Sequence, residues 1–495
     1  MKISLIELSV FNTSAIGVRS LSAVLKRAGY QVQLLFLANS GKKDESDIFI
    51  YPDPVVQKIV NLCKNSDLVG VSFLTSGFHR AVQITERLKK EMDMPVIWGG
   101  LHATVEPEQC LNYADMVCMG EGEAALLELV QRMAAGQEYY GTLNFWFKKD
   151  GRIIKNPVRP LIQDLDELPF LDYDLSGEHF AFIEKKEEFY PLDRSLLLEF
   201  LTPKWRRADT GNSPFYFTMA SRGCPNCCAF CFHSIYKDMY PRQRYIRRRS
   251  AANVIQELAN FINTYDFHGG IWFSDDDFMA DSSKKLQEFS ELYKEKIGLP
   301  FFCLGSPASI SEKKLEYLIN GGLRYFEYGI QTGSTKTKQV FNRSFSSEQI
   351  IENCKVINKF SQDIRLPYYD FILDNPWETV EDELETLDLI LELPRPYQLA
   401  LASFRYFPGS VLYEEAKKQG LISLETSQIY SGEFLKLKGT LANFLIVLYG
   451  FFRIPKGLIK FLRRPGIVRL LNRKFLASFY RIPYKLQHLI ERFFY

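Results

Sequence analysis

The sequence predicts an α/β protein: a doubly wound parallel sheet, then a partial barrel of six strand–helix units, then a helical basic tail. Three observations carry this. Apolar runs of strand length alternate with amphipathic helical patterns twice, from Lys2 to Ala134 and again from Phe215 to Tyr406. A chain of 495 residues exceeds what one core sustains, so about three domains are expected. From Leu421 to Tyr495, 13 Lys/Arg stand against 3 Asp/Glu, which puts that stretch at +10 and the first 420 residues at −8, behind a net charge of +2.

In the first alternation, Lys2–Leu8 reads as an apolar strand, Val18–Ala28 as an amphipathic helix and Gln31–Leu37 as a strand. Val55–Lys64 is helical, Leu68–Phe73 is a buried strand and Arg80–Glu91 is helical. Pro95–Trp98 is a strand closing on Gly99-Gly100, Met116–Met119 is a strand and Glu123–Ala134 is a helix. Ligands of such sheets bind beyond the carboxyl ends of the strands. Small and polar residues stand there, in Ser72-Phe-Leu74-Thr75, Gly99-Gly100-Leu-His102-Ala-Thr104 and Gly120-Glu121-Gly122-Glu123. Glycine permits close approach of backbone to a ligand, although each segment taken singly also reads as an ordinary turn.

Residues 141–213 are expected to connect the two units, after a first domain of residues 1–140. Thr142–Phe147 and Arg152–Ile154 form a hairpin around Asp150-Gly151, a strong two-residue turn signal. Glu184 to Ser213 shows no clear period, and Pro203–Asp209 reads as a surface loop rather than a substrate lid. The second unit, residues 214–422, has strands at Phe215–Ala220, Gly270–Phe273, Phe301–Leu304, Arg324–Ile330, Tyr368–Leu373 and Leu399–Tyr406. Its helices are Ala251–Tyr265, Ser283–Lys296, Glu312–Ile319, Ser347–Phe360 and Val380–Leu393. Parallel barrels place chemistry on the loops at strand carboxyl ends.

The loop after the first barrel strand sets Cys224, Cys228 and Cys231 at the spacing CxxxCxxC. Three thiolates on one short loop can hold three irons of a cubane cluster and leave the fourth open to a ligand that is not protein. With Cys227 the run also parses as two abutting CxxC pairs, a zinc reading. Structural zinc sites normally draw their pairs from separated segments, so zinc is the weaker reading. A disulfide framework is weaker still, with nine cysteines in the chain and no secretory signal ahead of them.

Ser221-Arg222-Gly223-Cys224-Pro-Asn-Cys227-Cys228-Ala-Phe230-Cys231 resembles the signature of the radical S-adenosylmethionine (radical SAM) enzymes. The resemblance implies that Cys224, Cys228 and Cys231 ligate a [4Fe–4S] cluster, and Cys227 is read as a non-ligand. It implies that the open iron chelates the amino and carboxylate groups of S-adenosylmethionine. One electron, from a donor such as flavodoxin or ferredoxin, then cleaves the sulfonium to a 5′-deoxyadenosyl radical that abstracts hydrogen from an unactivated C–H bond. Asp275-Asp-Asp277, Gly329-Ile-Gln331-Thr-Gly333-Ser334 and Asp374-Asn-Pro-Trp377-Glu-Thr379 resemble further family segments. Phe230, Asp275, Asp277, Gln331, Gly333, Ser334 and Asp374 are therefore the implied S-adenosylmethionine contacts. Gln331 replaces a usual glutamate, and Asp374 and Trp377 replace glycines. The triplet at 275 reads equally well as an acidic cluster at a helix N-terminus. Phe407-Pro-Gly-Ser410 matches a later turn, and the resemblance ends near Ile422.

The strand-end loops of the first sheet, in this order ahead of the cysteines, resemble the cobalamin-binding domain of the B12-dependent radical SAM enzymes, from about Val18 to Val130. That implies a Rossmann-like domain with cobalamin contacts at Ser72, Leu74, Thr75, Gly99, Gly100, His102, Thr104, Glu121 and Gly122. The Asp-x-His-x-x-Gly loop that supplies a histidine to cobalt in the cobalamin mutases is absent, so the resemblance implies a base-off corrinoid without that ligand. The implied activity is methylation of an unactivated carbon in a small-molecule or lipid-like substrate. Radical cyclisation or oxidation with the same cofactors is the alternative, and a zinc-binding interaction protein is the alternative from another class. The sequence singles out no acid–base residue.

The basic run Arg242–Arg249 reads as a solvated approach to the next helix. Nucleic-acid binders show a broad basic face, so no nucleic-acid partner is expected. In the tail, residues 423–495, the apolar run Leu441–Phe452 would span about 18 Å as a helix against roughly 30 Å of hydrocarbon, so it cannot cross a membrane alone. Lys456, Lys460, Arg463, Arg464, Arg469, Arg473 and Lys474 interleave with Phe, Leu and Ile. That pattern suits a helical cap on the barrel or an interfacial helix. The expected location is cytoplasmic, with peripheral contact at the inner face of the membrane left open.

Overall fold

The computed structural model describes residues 1–8, 15–37, 42–43, 49–175, 178–203, 213–422, 426–430 and 436–486. In the first sheet β1 (Lys2–Glu7), β2 (Gln31–Phe36), β3 (Leu68–Ser72), β4 (Val96–Gly99) and β5 (Met116–Cys118) run parallel in the order β2-β1-β3-β4-β5. Side chains alternate across it. Ile3 and Leu5 join the core with helices Ile16–Arg27 and Glu123–Ala134, whereas Ile6 faces Asp53–Cys63 and Phe78–Glu91. Buried Ser4 stays satisfied by donating to Gln33 Oε1 at 2.7 Å.

The segment 141–203 does more than connect, because it adds four strands to this sheet. The hairpin β6 (Phe145–Lys149) and β7 (Arg152–Lys155) lies antiparallel beside β5. Its turn has Asp150 at φ 49° and Gly151 at φ 75°, the left-handed geometry that Asp-Gly supplies. On the other edge β8 (His179–Ile183) runs parallel to β2, with β9 (Glu188–Pro191) antiparallel beyond it. A buried cluster fastens this edge: Leu34 N donates to His179 Nδ1 at 3.2 Å, and Asp172 sits 3.2 Å from His179 Nε2 and 2.9 Å from Lys26 Nζ. The expected surface loop at 203–209 falls, beyond Pro203, outside the described residues.

The second sheet holds β10 (Phe215–Thr218), β11 (Gly270–Phe273), β12 (Phe301–Gly305), β13 (Leu323–Gln331), β14 (Tyr368–Leu373) and β15 (Gln398–Ser403), all parallel and adjacent in chain order. The helices between them start where Ser250, Ser282, Ser311, Ser346 and Thr379 each accept a backbone N–H of the first turn. Such caps stabilise by about 1 kcal/mol apiece.

The tail packs against the barrel. Leu441–Gly450 buries Leu441, Leu445 and Ile446 against the helix Val380–Glu392, and Arg395 donates to Tyr449 O at 2.8 Å. A side chain at Gly450 would meet Leu399 of β15 at 2.5 Å, so this apolar run is core. Lys456 and Lys460 pair with Glu392, and Arg463 pairs with Asp388. Among the described residues no helix is long and apolar enough to cross a membrane.

Candidate active site between the two sheets

A cavity of about 360 Å³ lies where the strand ends of the first sheet face the loop after β10. Leu5, Leu68, Ile97 and Leu126 line it on the sheet side, and Ser72, Gly99, Gly100, Gly120, Glu121 and Gly122 line it at the strand ends. Gly223, Phe232, His233, Tyr236 and Tyr245 face them from the second unit. A side chain at Gly99 would enter open space, whereas one at Gly70 would strike Leu5 at 2.8 Å. The glycines therefore hollow the sheet surface at one point and let strands pack at another. An apolar wall meeting a polar, glycine-lined mouth suits a large ligand with an aromatic or aliphatic part and amide arms, as a corrinoid has.

Charged side chains tie the two units together beside this cavity. Arg222 donates to Glu123 Oε1 at 2.6 Å and lies 3.2 Å from Glu121. Arg247 grips both carboxylate oxygens of Glu121 at 2.8 and 2.9 Å and donates to Ile162 O at 2.9 Å. Burial pushes the Glu123 carboxyl up, but the Arg222 charge and hydrogen bond outweigh it and hold the group below its ordinary value. The reading of 242–249 as a solvated run holds for Arg242 and Arg244, which are exposed, and is corrected for the last three arginines. Arg247 is buried, Arg248 pairs with Asp281 and Arg249 pairs with Glu257 at 2.8 Å.

The cysteine loop separates its four thiols. Cys224 and Cys228 are buried and Cys231 is half-buried. Cys227 is exposed, its sulfur 3.0 Å from Lys237 Nζ. Arg343 donates to Cys228 Sγ at 3.2 Å and to Gly329 O at 2.6 Å, which brings the loop beside the end of β13. Asn226 donates to Ser306 at the end of β12, and Ser306 donates to Asp277 at 2.6 Å. Burial pushes the Cys224 thiol up to about 11 and the Cys231 thiol up to about 12. Metal binding at either sulfur therefore displaces a proton. Among the described residues no three His, Cys, Asp or Glu side chains converge on a single ion. A loop with Cys224, Cys228 and Cys231 wholly or partly buried and Cys227 exposed suits three corners of a cubane better than the four ligands of a zinc tetrahedron.

The remaining expected contacts divide. Phe230 packs edge-on to Phe341 at 4.8 Å. Asp275 accepts from Ala220 N at 3.0 Å and from the Ser221 hydroxyl, and burial raises its carboxyl to about 6. Asp277 is raised by burial too, and its Oδ1 is buried without a partner among the described residues, an acceptor suited to a donor on a bound molecule. Gln331 ends β13 at φ 77°.

Three expected S-adenosylmethionine contacts have partners within the protein. Gly333 N donates to Thr386 Oγ1 at 3.0 Å, and a side chain there would strike Thr386 Cα at 2.7 Å. Ser334 is fully buried, caps the helix Thr335–Val340 and donates to Asp382. Asp374 accepts from Lys438 N at 2.9 Å and Asn443 Nδ2 at 2.7 Å, so its carboxylate clips the root of the tail to the end of β14.

Of the nine expected cobalamin contacts, Ser72, Gly99, Gly100, Glu121 and Gly122 line the cavity and Leu74, Thr75, His102 and Thr104 do not. Leu74 is exposed and Thr75 is buried. His102 is fully buried, with Nδ1 3.2 Å from Thr75 Oγ1 and Nε2 3.0 Å from Gln109 Oε1, and burial lowers it to about 4. Thr104 supports the mouth by accepting from Gly120 N at 3.1 Å.

Sequence reasoning missed His233, Tyr245 and Asp276. The His233 ring lies 2.6 Å from the Tyr245 hydroxyl and 2.9 Å from Asp276 Oδ1, and all three line the cavity. The acidic triplet carried a signal for Asp276. Nothing in the sequence placed residue 245 opposite residue 233.

Two stacked α/β units joined around one cavity, with a three-cysteine loop on the second, define a two-cofactor enzyme. Residues 5–130 match the B12 binding domain and residues 219–390 match the radical SAM superfamily. The chain belongs to the B12-binding-domain-containing radical SAM enzymes, whose cofactors are a [4Fe–4S] cluster, S-adenosylmethionine and cobalamin. It is 27% identical over 414 residues to an uncharacterised methyltransferase of Pyrococcus horikoshii, covering 81% of this chain and 82% of that one. It is 24% identical over 408 residues to the anaerobic magnesium-protoporphyrin IX monomethyl ester cyclase of Rubrivivax gelatinosus, covering 80% of this chain and 65% of the cyclase. In fold it is similar to the radical SAM methyltransferase TsrM of Kitasatospora setae, with a TM-score of 0.63 and 16% identity over 84% of this chain and 76% of that one.

Proposed function

We propose that the protein methylates an unactivated carbon of a small or lipid-like molecule, with Cys224, Cys228 and Cys231 holding the cluster. The observation that carries this reading is the single cavity shared by the glycine-rich strand ends and the loop after β10, because methyl transfer needs the corrin and the substrate radical within reach of one another. When bound, the cluster and S-adenosylmethionine supply a hydrogen-abstracting radical, and cobalamin supplies the methyl group.

The chain's own residues prepare the place. Ser72, Gly99, Gly100, Glu121 and Gly122 form the cobalamin side of the mouth, and the Arg222 and Arg247 pairs fix its distance from the cysteine loop. Asp277 offers its unpartnered oxygen to the ammonium group of S-adenosylmethionine. Arg343 donates to the Cys228 sulfur and to Gly329 O, which holds that side of the cysteine loop beside the end of β13. Flavodoxin or ferredoxin is the class of electron donor this chemistry requires.

The methyltransferase relative supports this reading, and the cyclase relative supports a second one, radical cyclisation with the same cofactors. Mass balance separates them. With methyl-labelled S-adenosylmethionine and a candidate substrate under anaerobic conditions, methylation gives a product about 14 mass units heavier that carries the label. A product without the label rejects methylation.

A further inference from the structure

The tail beyond the buried helix Leu441–Gly450 carries a surface that the catalytic reading leaves unused. Eight of the thirteen large apolar side chains exposed among the described residues lie between Phe452 and Leu486. Phe475 is 81% exposed, Leu470 67%, Phe479 53% and Phe461 47%. Exposed apolar residues scattered singly are ordinary, but this density in one segment marks a contact surface. Between Phe451 and Ile490 the sequence has no Asp or Glu.

Three of the cations there, Lys456, Lys460 and Arg463, pair with the barrel helix and hold the segment in place. Arg453, Arg464, Arg469, Arg473, Arg481 and Lys485 are exposed and form no ion pair among the described residues. The Arg464 guanidinium lies 5.2 Å from the Phe461 ring, so charge and apolar surface are interleaved rather than segregated.

The helices here are short: Lys456–Leu462, Pro465–Leu471 and Ala477–Tyr480. None can cross a bilayer, but each can lie on one. A polyanion without an apolar phase would leave Leu470, Phe475 and Ile482 in water. A second copy of this surface would bring uncompensated positive charge against itself.

We propose that residues 451–486 dock on a bilayer bearing anionic headgroups, with the Arg and Lys side chains at the phosphates and the apolar side chains at the headgroup boundary. The docking is independent of the reaction, and binding reads it without turnover. Full-length protein is sedimented with phosphatidylcholine vesicles, with and without phosphatidylglycerol. The expected result is binding only to the anionic vesicles, weakened by salt. Arg464→Glu with Arg469→Glu, and separately Leu470→Ser with Phe475→Ser, should each lower it about tenfold or more.

All four positions are exposed, and unchanged urea midpoints show that the variants fold. In a Phe475→Trp variant the new indole should be quenched by brominated lipid. Equal sedimentation of the parent and both double variants overturns the proposal. So does an unquenched indole, or a lipid-free oligomer or polynucleotide complex in a protein that ignores vesicles.

Discussion

Replacing Arg222 with Met keeps the aliphatic stem and removes the charge that joins the two units. Arg222 is the direct link from the cysteine loop to Glu123, at 2.6 Å, and a second link to Glu121. In the variant Glu121 keeps both hydrogen bonds from Arg247, so its charge stays compensated. Glu123, nearly fully buried, keeps the Ser20 hydroxyl at 2.7 Å but loses its cation. Removing one partner of a buried pair costs about 3–5 kcal/mol, and the retained bonds place this case near 3 kcal/mol. Glu123→Gln in the same background removes the stranded charge and should recover about 2 kcal/mol, a coupling read from a double-mutant cycle.

The pH dependence has a fixed sign. The folded Glu123 carboxyl lies below its ordinary value, so its stabilisation is present above the unfolded pKa and lost as pH falls through the folded one. The gap between the parent and Arg222→Met should therefore narrow toward acid pH. The assay is urea unfolding of apo-protein by tryptophan fluorescence and far-UV circular dichroism, with coincident transitions required. A loss under about 1 kcal/mol, or a double variant equal to the sum of the singles, would refute the reasoning.

Alanine at Cys224, Cys228 or Cys231 should abolish the cluster absorbance after anaerobic reconstitution, whereas Cys227→Ala should keep its iron, because Cys227 faces Lys237 at the surface. Glu378 and Glu383 are both raised to about 7, mainly by burial. Their folded carboxyls hold protons more tightly than the unfolded chain does, so that contribution is present below pH 4.5 and lost as pH rises through about 7. Glu378→Gln with Glu383→Gln should accordingly be more stable than the parent by about 1–3 kcal/mol at pH 8, with the gain gone near pH 4, as urea midpoints across pH will show. Leu445→Ala should cost about 2–5 kcal/mol, because Leu445 is fully buried against the barrel, and an unchanged melting temperature would contradict that packing.

The parallel strands of both sheets were legible because apolar runs of strand length alternate with amphipathic helical patterns. Gly270–Phe273, Tyr368–Leu373 and Glu123–Ala134 fall where the pattern places them. β8 and β9 were not legible, being strands of four or five residues that join the sheet through β8, whose partner β2 lies more than 140 positions away, while β9 pairs on β8 at the edge. The cysteine spacing pointed to the metal loop, but it could not say which of four thiols faces outward. Burial and the Lys237 contact do. The charge pattern misled at Arg247, because the carboxylate that compensates it comes from Glu121, 126 positions earlier. The link from Asp374 to Lys438 and Asn443 was not legible either, because no local motif connects the tail to β14.

The measurement closest to the central claim is anaerobic reconstitution of the full chain with iron, sulfide and cobalamin, followed by metal, sulfide and corrinoid analysis. The two-cofactor centre predicts about four irons, about four sulfides and one corrinoid per chain, without zinc. Zinc with neither iron nor corrinoid would contradict it.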